Sequence, residues 1–212
     1  NPASNHPRMM AALYEAKKRG ARIVAINPMP ERGFTNFSDP KNLGELIRDE
    51  GIQVADEVFQ VQIGGDLALF KGVMKALLEM EGPPGFHLDR DFIQHHTEGY
   101  EALRADLEAC DFADLAMRSG IHVGKMRRLA DLYAQADATM LTWCMGLTHH
   151  PHAVETIQQV VNLALLKGNI GKRGAGVMPV RGHSNVQGDR TMGATSTVSA
   201  AWLDNLESAF TG

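Results

Sequence analysis

The stretch Thr142–Gly188, TWCMGLTHHPHAVETIQQVVNLALLKGNIGKRGAGVMPVRGHSNVQG, restricts the fold more than any other part of the chain. A short apolar run ends in a Met145-Gly146 turn, a helical pattern follows, and two glycine-dense loops then carry polar side chains. Glycine at this density beside Thr148, His149, Arg181, His183, Asn185 and Gln187 points to main chain lying close against a large polar ligand.

Upstream, the spacing of apolar residues predicts a helix from Pro7 to Arg19, stopped by Gly20. Ala21–Ile26 reads as a continuous apolar strand of a sheet buried on both faces. Phe34 to Gly51 is irregular, with Pro40, Gly44 and Gly51 as punctuation. Ala55–Ile63 alternates as a second strand, Gly64-Gly65-Asp66 makes a sharp turn, and Leu67–Met80 is a strong helix. Gly82–Gly85 is a Pro/Gly loop. Helices are expected over Asp89–His96, Tyr100–Glu108 and Val123–Ala136, then a strand at Thr139–Trp143 and a helix at His152–Leu166. Beyond Gly168 the pattern is mostly loop. Strands alternating with helices predict an α/β, three-layer Rossmann-like domain with a mainly parallel sheet. The chain opens on Asn1-Pro2 and a helix where such a domain would open on a strand, so it reads as a fragment of a longer polypeptide.

The 212 residues are 44% hydrophobic and 22% charged, which is enough for a globular core. A formal net charge of -4 argues against a nucleic-acid partner, and no Lys/Arg run offers a polyanion track. Apolar stretches are too short to span a bilayer, and no signal peptide precedes the first helix. Cys110 and Cys144 lie far apart, form no CxxC, and read as two reduced, buried thiols of a cytoplasmic protein. The methionines read as core packing. Gly168–Gly174 imitates a phosphate loop, but Arg173 follows Lys172 where a Ser or Thr is needed, so an ATPase or GTPase is excluded. His149, His150 and His152 lack the carboxylate or cysteine that would complete a metal set, and His95-His96 falls on a surface helix. No metal-ligating residues are assigned.

Ligands of open parallel sheets bind outside the carboxyl ends of the strands. Asn27, after the first strand, is placed to hydrogen-bond a ribose or base edge. Asp66, after the Gly64-Gly65 turn, can accept from the N1 and N2 donors of guanine, a pattern adenine lacks. The same residues also fit ordinary strand-to-helix turns, with Asp66 capping the helix that begins at Leu67. In VRGHSNVQG, Arg181 suits an anionic substrate or a pyrophosphate, and His183 can hydrogen-bond a ligand or move a proton.

These motifs carry a resemblance. WCMGLTHH, then NLALLKGNIGKRGAGVMPVRGHSNVQG and Met192-Gly193, resembles the molybdopterin oxidoreductases of the formate dehydrogenase and dimethyl sulfoxide reductase group. NPASNHPR, GARIVAINP and GGDLAL fall in the family's order, so the likeness covers almost the whole chain, and IGGDLALFKGVMKALLE is most like the formate dehydrogenase-like alpha subunits. It implies a bis-molybdopterin guanine dinucleotide cofactor on molybdenum or tungsten. By motif, Asn27 stands where the family has an Asp or similar residue near the guanosine. Gly65 and Asp66 match the guanine-reading turn, and Met145, Gly146, Thr148 and His149 match the loop along the dinucleotide. Formate dehydrogenases tend to have Gln where His149 stands. Arg181 matches the arginine that orients formate; Gly182, His183, Asn185 and Gln187 match the loop beside the pterin. The resemblance thus assigns Arg181 and His183 to catalysis. Residues 1–180 are expected to form the cofactor-binding domain, and 181–212 a pterin-side loop leading into the rest of the parent enzyme. The metal ligand, any iron–sulfur cluster and the second cofactor half-site would lie elsewhere in that parent, leaving this piece inactive alone. Formate oxidation is the leading reaction expected; nitrate or sulfoxide reduction, or a non-catalytic guanine-nucleotide-binding module, are the alternatives.

Overall fold

The computed structural model describes residues 2–37, 51, 53–82, 88–183, 185–194 and 197–210. Most of the irregular region expected after Phe34, and the Gly82–Gly85 loop past Gly82, lie outside the described residues. The first half of the chain forms α1 (Pro2–Asn5), α2 (Pro7–Lys18), β1 (Val24–Ile26), α3 (Arg32–Thr35), β2 (Glu57–Phe59) and α4 (Asp66–Met80). A helical block follows: α5 (Arg90–His96), α6 (Tyr100–Ala109), α7 (Phe112–Ser119) and α8 (Val123–Gln135). Then come β3 (Met140–Trp143), α9 (Met145–Thr148), α10 (Ala153–Leu166), β4 (Gly176–Pro179), α11 (Val186–Thr191) and α12 (Ala200–Phe210). The expected mixed α/β class holds.

The sheet differs from expectation. Among the described residues the strands join only in two parallel pairs, Val24–Ile26 against Glu57–Phe59 and Met140–Trp143 against Gly176–Pro179. Both first-half strands are shorter than their apolar runs. Ahead of β1, the Asp56 carboxylate accepts from the Ile23 amide at 2.8 Å, so a side chain stands in for the ladder. Beyond β2, the Gln62 amide turns away to the Ser119 carbonyl at the end of α7 (2.8 Å), which breaks the register. Strand β3 is not sandwiched: it alternates exposed and half-buried residues, and Leu141 and Trp143 are the pair packed on the core.

The second half holds more regular structure than the sequence pattern indicates. Glycines disguise β4, yet Val180 donates to the Trp143 carbonyl at 2.7 Å just past its paired residues. Helix α7, also unread in the sequence, is bounded by recognisable signals. Asp111 caps its first turn by accepting from Ala113 and Asp114, and Gly120 stops it at φ +70°. The methionines divide. Met10, Met74 and Met126 are fully buried, whereas Met29, Met117, Met140, Met145, Met178 and Met192 are exposed, correcting the reading of all of them as core. Cys110 and Cys144 are unpaired but only half-buried. Every residue of α12 is exposed, including Trp202, Leu203, Leu206 and Phe210.

The core is built on α4. Leu69, Val73, Met74, Ala76 and Leu77 lose all contact with solvent as α4 packs against α6, α7, α8 and α10. Gly65, at its start, has a packing reason of its own: a β-carbon there would stand 2.8 Å from the Arg118 carbonyl oxygen and Ser119 Cα. A buried polar pin holds the second half to this core. The Tyr133 hydroxyl donates to the Leu163 carbonyl (2.7 Å) and accepts from Asn169 Nδ2 (2.8 Å), and Asn169 is itself fully buried. The lysines of the false phosphate loop are engaged elsewhere. Lys167 donates to the carbonyls of Tyr133, Ala134 and Ala136, and Lys172 to that of Asp137, where the carbonyl end of α8 attracts cations. Burial pulls the Lys167 pKa down, Lys172 adds to this, and Asp137 opposes it.

Asn169→Leu should therefore cost about 1–3 kcal/mol, the penalty for leaving buried hydrogen-bonding groups unpaired. Gly65→Ala should cost about as much by overpacking against backbone. Urea titration of each variant is expected to show a lower midpoint at an unchanged slope.

Candidate functional site

Parallel strands deliver their carboxyl ends to one side, so the turns after them are where a site can assemble. The turns after β1 and β2 share a cleft of about 490 Å³, lined in part by Pro28, Met29, Gln62, Ile63, His122 and Lys125. None of the last four was singled out from the sequence. His122 caps α8 through Nδ1, which accepts from the Gly124 amide at 3.1 Å. Asn27 stands half-buried at this end. Its Nδ2 donates to the Met29 carbonyl (2.6 Å) and to Glu31 Oε1 (3.0 Å), so both amide hydrogens serve the turn.

Asp66 is the first residue of α4, with Gly65 in the capping position and no side-chain cap bond there. Asp66 thus stands one position inside the helix, in its first turn, where its carboxyl meets its own backbone N–H. Its side chain is 8% exposed, an unusual degree of burial for a carboxyl. Burial pushes its pKa above the ordinary Asp value, while its own backbone N–H and the nearby His150 imidazole pull the other way.

The turns after β3 and β4 form a second cluster. Met145, Gly146 and Thr148 make the single turn of α9, closed by the Thr148 hydroxyl donating to the Met145 carbonyl at 3.4 Å. Thr148 and His149 are exposed, and a β-carbon on Gly146 would meet open space. Because β3 and β4 pair in parallel, Arg181 and Gly182 emerge beside this turn. A β-carbon on Gly182 would lie 2.9 Å from Met145 Sδ. Arg181 and His183 are both exposed, and the Arg181 carbonyl is held 3.1 Å from His6 Nε2, a partner 175 residues away. Asn185 takes a left-handed conformation at φ +57° and folds back over Gly188, while Gln187 is exposed on α11.

The structure thus brings Met145 next to Gly182 at the ends of β3 and β4, and Thr148 and His149 stand exposed in the same turn as Met145. Asn27 precedes Pro28 and Met29 of the neighbouring cleft, Asn185 stands just ahead of α11, and Gln187 is exposed on that helix. Sequence reasoning missed His6 and His150. The signal for His150 was its place in THH after a strand end, where one of two adjacent histidines must turn inward. Its Nε2 is buried with no hydrogen-bond partner among the described residues. Also among the described residues, no three His, Cys, Asp or Glu side chains group to hold a metal ion, and no helix is long and apolar enough to cross a membrane.

The raised pKa of Asp66 has a signed consequence. The folded chain holds this proton more tightly than the unfolded chain, so the contribution to stability is full below the ordinary value of 3.8 and is lost as pH rises through the folded pKa. Asp66→Asn is expected to raise the urea midpoint at pH 7 and to leave it unchanged at pH 3; a lower midpoint at pH 7 would contradict a desolvated carboxyl.

No family model matches the chain. Among curated proteins it is 46% identical over 212 residues to Protein YdeP of Escherichia coli, covering 97% of this chain and 28% of that protein. An uncharacterized oxidoreductase of Mycobacterium tuberculosis is 44% identical over 211 residues, covering 99% of this chain and 27% of the relative. Formate dehydrogenase H of Escherichia coli is 32% identical over 194 residues, with 92% and 24% covered. The structure of acetylene hydratase from Pelobacter acetylenicus shares the fold, with a TM-score of 0.62 at 17% identity over 78% of this chain and 20% of that one. The chain spans about a quarter of the length of the curated relatives it matches. Through these relatives and the motifs shared along its length, the chain belongs to the molybdopterin oxidoreductases of the formate dehydrogenase group.

Proposed function

We propose that this segment is the Rossmann-like, three-layer domain that holds one guanine dinucleotide arm of a bis-molybdopterin guanine dinucleotide cofactor in a formate-oxidising enzyme. The observation that carries the reading is the meeting of the turns at Met145 and Gly182 at the carboxyl ends of a parallel pair, with a buried carboxyl at Asp66 just after the turn that follows β2. The residues fit such a group. A buried acceptor at Asp66, an orphaned imidazole nitrogen at His150 and open space over Gly146 are what a base and its ribose phosphate would need.

The cofactor and its molybdenum or tungsten supply the two-electron chemistry when bound. Asp66 accepts from the N1 and N2 donors of guanine. Met145, Gly146, Thr148 and His149 run along the dinucleotide, with Asn27 turned towards the guanosine. Gly65 contributes by letting α4 start hard against α7, which sets the position of Asp66. Arg181 binds the formate carboxylate in a charge-assisted, fork-like pair, and the His6 contact fixes the backbone it stands on. His183 receives or relays the proton released on oxidation. Gly182, Asn185 and Gln187 bound the pterin side. Residues 1–180 form the cofactor domain under this reading, and 181–212 lead into the remaining domains of the parent enzyme. The metal ligand, any iron–sulfur cluster and the electron partner lie outside the matched quarter. The two unpaired cysteines accord with a cytoplasmic enzyme.

In the full-length enzyme, Arg181→Ala should lower kcat/KM for formate by roughly 10- to 100-fold, the loss expected of a charge-assisted hydrogen bond. His6→Ala should raise KM by a smaller factor with little change in kcat. Steady-state assays with formate, nitrate and sulfoxides, alongside metal analysis, test the reading. Wild-type kinetics in the Arg181 variant, or turnover confined to nitrate or a sulfoxide, would remove formate and its arginine from the site.

A further inference from the structure

Arg181 stands where neither ladder nor helix holds it. The β3–β4 pairing ends at Pro179, Val180 adds one bond to the Trp143 carbonyl (2.7 Å), and Arg181–His183 are exposed and outside any regular element. A substrate-binding group misplaced by about 1 Å loses much of its effect, so something has to fix this stretch. Two contacts do so. His6 Nε2 lies 3.1 Å from the Arg181 carbonyl. On the next residue, Met145 Sδ stands 2.9 Å from the point a Gly182 β-carbon would occupy, closer than side chains tolerate. The backbone of Gly182 does not itself require glycine, because its φ lies outside the left-handed region that Gly174 and Gly176 adopt. Its missing side chain is what lets the thioether in. Farther back on the same strand pair, Met140 Sδ keeps an ordinary 3.9 Å from the same point on Gly176. The tight approach belongs to the strand exits.

The geometry points to Met145 as a positioning residue for Arg181, acting through Gly182. The Arg181 Cα, its carbonyl oxygen and the Gly182 Cα all lie in one planar peptide unit. His6 holds the oxygen and Met145 packs on the Gly182 end, so the plane is fixed and the Arg181 Cα with it. The strut has a firm base. Met145 opens α9, and its carbonyl accepts from the His149 amide (3.1 Å) and the Thr148 hydroxyl (3.4 Å). An unbranched, polarisable thioether suits a gap of irregular shape between two turns. The turn carrying Met145 serves the dinucleotide in the reading above, and its side chain serves the arginine. This assignment rests on the reading of Arg181 as the formate-binding arginine and adds a positioning residue to it.

The test combines formate kinetics of the full-length enzyme, normalised to bound metal, with tryptic cleavage after Arg181 in the 212-residue chain, followed by mass spectrometry. The variants are Met145→Ala, Met145→Leu, Gly182→Ala and the pair Met145→Ala/Gly182→Ala. Met145→Ala leaves a gap over Gly182, and Gly182→Ala drives a methyl into the thioether. Each should raise KM for formate by about 3- to 10-fold, more than it lowers kcat, a factor within the range for residues in contact. Each should also speed cleavage after Arg181, since a loosened loop is cut faster. In the pair the new methyl enters the vacated space, so KM and cleavage should return towards wild type. Met145→Leu, which conserves volume, should stay close to wild type. Single effects that simply multiply in the pair, unchanged cleavage in Met145→Ala, or a Leu variant no better than Ala would overturn the role of Met145 while leaving Arg181 as the partner of formate. A wild-type enzyme that does not turn over formate would overturn the substrate reading, and the cleavage rates would still decide whether Met145 holds the loop.

Discussion

Burial of α4 along nearly its whole length is the constraint from which the rest of the molecule follows. A helix that puts Leu69, Val73, Met74, Ala76 and Leu77 out of reach of solvent must be covered on several sides, and α6, α7, α8 and α10 provide the cover. Its first turn cannot then remain outside. Asp66 is drawn in with it, and the preceding residue has to be glycine to pass the backbone at Arg118 and Ser119. A carboxyl that would be a plain helix-start acid on a surface helix becomes a desolvated group that holds its proton more tightly.

The helices were the legible part of the sequence. Their apolar spacing and a stop such as Gly20 are local signals, and α2, α4, α8 and α10 fall within a residue or so of their expected limits. The strands were less legible because local apolarity does not say where pairing ends. Ala21–Ile23 is apolar enough to be strand, yet the Asp56 side chain occupies the ladder there, which is a contact 33 residues away. Strand β4 was hidden for the opposite reason: glycines make AGVMPV look like loop, and only the fixed position of β3 gives it something to pair with.

The candidate site was legible as motif and opaque as geometry. Glycine density and the polar residues after Thr142 singled out two loops, and the turns at Met145 and Gly182 do meet. What spacing could not supply was which glycine serves a ligand and which serves the fold. Gly65 and Gly188 are pressed against the chain's own atoms, whereas Gly146 faces open space. Nor could it single out His150 from the adjacent His149, because inward and outward histidines are identical in a string of letters.

The hydrogen bond from His6 to the Arg181 carbonyl closes a loop of 175 residues, from just ahead of α2 to just past β4. Anchoring an exposed, glycine-flanked arginine through so distant a partner makes its placement a cooperative property. Losing that one contact would loosen the Arg181 backbone while leaving the packing around α4 intact. The loop after β4 therefore owes part of its order to a helix that precedes every strand of the molecule.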